Sequence, residues 1–218
     1  MNTGFKILIF VVLTHVFFAG CREDKADSVG SKGRDQEQEF AGQTDWPVFH
    51  GGQALSGFAE GSLADSFKIG WRFRTGGAVK ASPVVRDGIV YCGSGDGNVY
   101  AVNLENGRRV WRFETEDVIE GACCAAGGRV YVGSAGGVVY ALDQKSGDLA
   151  WKYETGGKIL GPVNFSNGPD GESIRVIVGS YDNVLYCLDG GSGEIVWTYE
   201  SGSYINGAAA VGEGKTFF

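Results

Sequence analysis

Cys123 and Cys124 stand side by side, and adjacent thiols are the residues of this sequence best suited either to redox chemistry or to close packing inside a strand. Other chemical material is thin. Of the two histidines, His15 lies in the leading apolar run and only His50 remains beyond it, so neither a histidine metal cluster nor a Ser-His-Asp set can be assembled. Gly93, Gly95 and Gly97 form no phosphate cradle, because they fall between two strand-like runs rather than between a strand and a helix. Hydrolase chemistry is therefore not expected.

The chain around these residues has 218 positions, 43% hydrophobic, with 37 Gly and 4 Pro. That length and apolar content bury a real core, which excludes disorder throughout, and the glycines show no Gly-X-Y period, which excludes collagen. A net charge of −7 disfavours a nucleic-acid partner, since phosphate contacts need a basic patch. Residues 1–20 place one cation, Lys6, before an apolar run from Ile7 to Phe18 and then small residues, the pattern of a signal peptide. The run is too short to span a bilayer as a helix. Phe18-Ala19-Gly20-Cys21 resembles the bacterial lipobox, which implies lipidation of Cys21 and removal of the peptide before it. Arg22, in place of an aspartate beside that cysteine, implies the outer membrane. Residues 21–45 are polar and charged and read as a disordered tether.

The remaining chain repeats itself. Trp71, Trp111 and Trp151 are spaced by about forty residues, with Trp197 following at a slightly longer interval. Val90-Tyr91-Cys92-Gly93-Ser94 aligns with Val130-Tyr131-Val132-Gly133-Ser134 and with Val176-Ile177-Val178-Gly179-Ser180. Each copy holds two apolar runs around a Gly, Asp or Asn turn, then a second turn (Asn106-Gly107, Ser146-Gly147, Ser192-Gly193), then a tryptophan strand. With a first strand over 79–85 and its counterparts, every unit supplies four antiparallel strands. Such a unit cannot cover both faces alone and must stack on its neighbours, so an all-β propeller is expected. The units run over about 76–115, 116–155 and 156–201, with an incomplete fourth over 202–218; about three and a half blades are present and the ring is incomplete. The longer third unit is explained by a polar loop around Asn167–Gly171. Propellers close their ring by joining the two chain ends in one sheet, so this arrangement is expected to be the N-terminal part of a protein of seven or eight blades. Innermost strands line the channel of a propeller, which places Lys80, Glu120, Leu160 and Asn206 at one mouth, where the polar ones could orient a ligand or Ca²⁺.

Val130 to Gly156, with its Val-Tyr-Val-Gly-Ser, Tyr-Ala-Leu-Asp and Trp-Lys-Tyr-Glu-Thr-Gly segments, resembles the PQQ-like (pyrroloquinoline-quinone-type) β-propeller repeat family. Trp46-Pro47-Val48-Phe49-His50-Gly51 is similar to the segment that leads into many such propellers. The family includes cofactor-free lipoproteins similar to the propeller subunit of the outer-membrane β-barrel assembly machine, and quinoprotein dehydrogenases. The first branch implies a non-catalytic scaffold, anchored through a lipid to the outer membrane and facing the periplasm, that binds envelope proteins or a small ligand, with no cofactor and no nucleic acid. The second implies a PQQ- and Ca-dependent alcohol dehydrogenase, with Cys123 and Cys124 joined in a disulfide ring beside the quinone and Glu120 at its border. The alternative for both cysteines is core packing. Cys92 and Cys187 fall in different strand types of non-adjacent copies and are expected to pack rather than bond.

Overall fold

The computed structural model describes residues 45–59 and 66–218, which contain three four-stranded antiparallel sheets and one two-stranded sheet. The first blade is β1 (Val84–Arg86), β2 (Ile89–Gly93), β3 (Asn98–Asn103) and β4 (Arg109–Glu114). The second is β5 (Cys124–Ala126), β6 (Arg129–Gly133), β7 (Val138–Asp143) and β8 (Leu149–Glu154). The third is β9 (Asn164–Asn167), β10 (Ile174–Gly179), β11 (Val184–Asp189) and β12 (Ile195–Glu200). The half-blade is β13 (Ala210–Gly212) with β14 (Lys215–Phe217). Strands run in chain order from the inner to the outer edge of each blade, and β1, β5, β9 and β13 lie next to one another. This is the all-β propeller architecture. The signal peptide, Cys21 and the tether lie outside the described residues, save Asp45 at the tether's end.

The inner strands are shorter than the sequence suggests: β1 starts at Val84, not Val79. Residues 76–83 instead form a loop crossing from the outer edge of one blade to the inner edge of the next. The Gly95 N–H donates to the Ala78 carbonyl at 2.8 Å and the Gly76 N–H to Asp96 Oδ2 at 2.6 Å, so the loop's polar groups are used outside any ladder. Pro83, which has no N–H to give, ends it. Residues 67–75 are extended and dock Trp71 on the first blade but pair with no strand.

Stacking of blades creates three cores. Val84, Tyr91, Val99, Ile119 and Val132 lie between the first two, Tyr131, Val139, Ile159, Val176 and Val178 between the next two, and Ile177, Leu185 and Ile205 beside the half-blade. The recurrent Gly-Ser after each second strand has a packing cause. A Cβ on Gly93, Gly133 or Gly179 would overlap the Cγ2 atom of Ile119, Ile159 or Ile205, so the missing side chain makes room for an isoleucine arriving with the next blade.

The tryptophans fasten the outer edges in the same serial way. Trp71 donates its indole N–H to the Leu104 carbonyl (2.7 Å), Trp111 to Gln144 (3.1 Å) and Trp151 to Gly190 (3.0 Å), each acceptor belonging to the following blade. Each ring also lies against the glycine of the β3–β4-type turn. Gly147, at φ +78°, is doubly required: its conformation favours glycine, and a Cβ would sit 2.6 Å from Trp111 Cδ2. Trp197 is 38% exposed, and its indole has no acceptor among the described residues.

Candidate functional site

The crossing loops line up along one face of the blade array. Lys80 and Glu120, forty positions apart, meet there, with Nζ 2.6 Å from Oε1. Backbone approach continues the row: a Cβ on Gly121 would overlap the Gly161 carbonyl, and one on Gly161 would lie 2.6 Å from the Asn206 carbonyl. Lys80, Glu120, Leu160 and Asn206 thus occupy matching places on successive blades at one mouth. Lys80 is 64% and Glu120 33% exposed, so this pair orients the carboxylate but contributes at most about 1 kcal/mol to stability.

Cys123 and Cys124 are both fully buried and are brought to different places. Successive residues of an extended chain point to opposite faces. Cys123 enters the core between the first and second blades, and Cys124 the core between the second and third. Both are thiols, and burial pushes both well above the ordinary cysteine range. Burial, helped by Asp96, raises Cys92 to about 12. Neutral thiols of this kind are poor nucleophiles. A quinone with Ca²⁺ would need the pair turned to the channel and a free carboxylate nearby. Here the thiols face two closed cores and Glu120 is held by Lys80, so these residues do not fit that group. Among the described residues, no three His, Cys, Asp or Glu side chains stand close enough to hold a metal ion.

The inner edges carry a feature that strand-by-strand reading misses. Residues 45–58 form a strap across them. Trp46 exchanges two hydrogen bonds with Val85 of β1 (2.7 and 2.8 Å), and the Pro47 carbonyl accepts from Ala125 of β5 (2.7 Å). Farther along, the Gln53 carbonyl accepts from the Val211 N–H of β13 (2.8 Å). On β9 the fully buried Asn164 takes over. Its Nδ2 donates to the carbonyls of Gln53 (2.8 Å) and Ala209 (2.6 Å), and its Oδ1 accepts from the Phe165 N–H (2.8 Å). The signal available in the sequence is that Asn164 aligns with Val84, Cys124 and Ala210, where every counterpart is apolar or small.

The mouth face also holds an aromatic departure from the repeat. Tyr181 and Tyr204 stack with centroids 4.7 Å apart and planes 20° from parallel, and Tyr204 is 58% exposed. Gly95 and Ala135 hold the position of Tyr181 in the other blades, and Ala78, Val118 and Lys158 that of Tyr204. An exposed stacked pair offers a rigid surface with a polar tip, the composition that protein interfaces favour.

The turn aspartates on this face are structural. Asp96 Oδ2 accepts from the Tyr100 hydroxyl (2.7 Å) and from the Gly76 N–H, and Asp182 Oδ2 repeats this with Tyr186 (2.7 Å) and Gly156 (2.7 Å). Partial burial alone would raise both carboxyls, but these hydrogen bonds outweigh it and hold them below the ordinary aspartate value of 3.8. Burial and the aspartate push Tyr100 up to about 12. A carboxyl depressed in the folded state stabilises above its unfolded pKa, and that contribution is lost as pH falls through the folded value. The thermal midpoint is therefore expected to drop as pH falls below about 4, and to drop less in an Asp96→Asn, Asp182→Asn variant. Parallel curves for the two proteins over the acid range would count against this role.

Residues 37–122 and 115–217 match the profile of the family described as outer membrane protein assembly factor BamB. No curated protein sequence matches the chain. BamB from Moraxella catarrhalis is similar in structure, with 23% identity and a TM-score of 0.57, over 66% of this chain and 44% of that one. Quinohemoprotein alcohol dehydrogenase from Comamonas testosteroni has 23% identity and a TM-score of 0.55 over 73% of this chain and 28% of its own. A europium-containing methanol dehydrogenase has 20% identity and a TM-score of 0.57 over 71% and 31%. At such identities the likeness is one of fold. The chain spans less than half the length of each of these proteins.

Proposed function

The chain belongs to the outer membrane protein assembly factor BamB family, and from that premise we propose that it is a non-catalytic propeller, held to the outer membrane through a lipid on Cys21, that binds proteins of the outer-membrane assembly machinery. The observation that carries this reading is the exposed Tyr181–Tyr204 stack, placed on the mouth face where the other blades carry no aromatic side chain at either position. Non-polar contact area with hydroxyl tips suits a protein partner, and hot spots of interfaces are rich in tyrosine. Quinone chemistry is the poorer reading, because the two thiols are turned into separate cores and Glu120 is engaged by Lys80.

Three measurements on the full chain test it. A photo-cross-linking residue at position 204 is expected to trap a protein of the outer-membrane assembly machinery in cells, whereas the same residue at Glu105, exposed on the opposite face, is not. Tyr181→Ala with Tyr204→Ala should abolish binding of that protein while shifting the thermal midpoint by no more than a few degrees. Cys21→Ser should move the protein from the membrane to the soluble fraction. Adducts formed equally from position 105, or calorimetric binding of PQQ with Ca²⁺, would reverse the choice between the two readings.

A further inference from the structure

The strap reaches a core through little buried surface. Of its side chains only Val48 is fully buried, while Phe58 is 76% exposed. Its backbone is fixed by the two Trp46–Val85 bonds, the Pro47–Ala125 bond and the bonds to the Gln53 carbonyl. Blade strands, by contrast, are bonded along continuous ladders. Proteins open locally in cooperative units, beginning with those that bury least. What the strap covers is specific: the N–H groups of Val85, Ala125 and Val211 along the inner edges, which it meets with backbone carbonyls, first from Trp46 and Pro47 and then from Gln53 within the turns over residues 48–54. Val48 enters the core that also holds Cys124, Ala126, Tyr131 and Val163.

We propose that residues 46–53 are a releasable plug, bound in cis to a peptide-accepting groove formed by the inner edges of β1, β5, β9 and β13. The ligand class that groove takes is a peptide with an aromatic residue two positions before a β-branched aliphatic one and a turn directly after it, the pattern of Trp46, Val48 and the Val48–Gly51 turn. Release uncovers the groove and leaves the blades folded.

The vicinal cysteines distinguish release from unfolding, since Cys124 shares the core of Val48 and Cys123 belongs to the core between the first two blades. In full-length chains carrying Cys123→Ala or Cys124→Ala, maleimide labelling in sub-denaturing urea, read by peptide mass spectrometry, is expected to be at least about 10-fold faster at Cys124 than at Cys123, the ratio given by an opening free-energy difference of about 1.4 kcal/mol. Val48→Ser should raise the Cys124 rate further and leave Cys123 unchanged. A synthetic peptide of residues 45–54 at millimolar concentration should slow Cys124 labelling again. Equal rates at the two thiols, or a Cys124 rate that the peptide leaves unchanged, would overturn the proposal. If Val48→Ser does not fold, the urea comparison and peptide protection in the chains that retain Val48 still decide it.

Discussion

Trp111→Ala is expected to lower the unfolding free energy by about 3–5 kcal/mol, whereas Trp197→Ala, the same residue type at the same place in the repeat, should cost less than about 1 kcal/mol in this chain. The contrast follows from what each indole meets. Trp111 is 7% exposed, donates to the Gln144 carbonyl and lies between Tyr91 and the Gly147 turn. Its removal leaves a large cavity between two blades and leaves the Gln144 carbonyl with only the Tyr91 hydroxyl as donor. Trp197 is 38% exposed and meets no such turn among the described residues. Denaturant titration of the two variants beside the parent chain measures both values. Equal losses would mean that the tryptophans act within their own sheets rather than as fasteners between blades.

That difference shows which parts of the molecule were legible in the sequence. The spacing of Trp71, Trp111, Trp151 and Trp197, together with the paired turns, reports a local pattern repeated in register, and β1 to β14 follow it closely. Even the bulge in the outer pairing recurs in each complete blade, after Ala101, Ala141 and Cys187. The mostly apolar run from Val79 to Val85 has the composition of a strand, yet it is largely a crossing loop. Apolar residues there serve the stacking between blades, and the loop's N–H and carbonyl groups are bonded outside any ladder. The mouth positions Lys80 and Glu120 were legible once the repeat was aligned, since equivalent loops of adjacent blades must be neighbours.

Other features depend on contacts that no local pattern encodes. The strap touches strands between about 40 and 160 positions away, and its bonds are made largely by backbone groups, which carry no residue signature. The vicinal cysteines invite a joint reading because they are adjacent in sequence. Strand alternation sends them into separate cores, where they behave as small apolar residues with suppressed acidity. The Tyr181–Tyr204 stack joins two residues from different blades and becomes visible only when the third blade is set against the half-blade. The proposed binding surface therefore lies where copies differ, because the shared residues are already committed to holding blades together.

Asn164 is the sharpest case of such a difference, and Asn164→Leu is expected to lower stability by about 3–5 kcal/mol. Leucine has the same branched skeleton and would face the apolar side that carries Ile177 and Ala209. The cost is polar. The Phe165 N–H and the Ala209 carbonyl would each lose the partner that Asn164 supplies, and an orphaned buried group costs about 1–3 kcal/mol. The Gln53 carbonyl would keep its bond from Val211, so the strap should loosen on β9 but stay attached to β13. Amide hydrogen exchange can separate these effects: protection should fall at Phe165 and remain at Val85, Ala125 and Val211, whose bonds to the strap do not involve Asn164. Asn164→Asp is expected to be no better, because a carboxylate accepts from Phe165 but cannot donate to either carbonyl. A stable Asn164→Leu protein with unchanged exchange at Phe165 would show that the side-chain bridge between the third blade, the half-blade and the strap is dispensable.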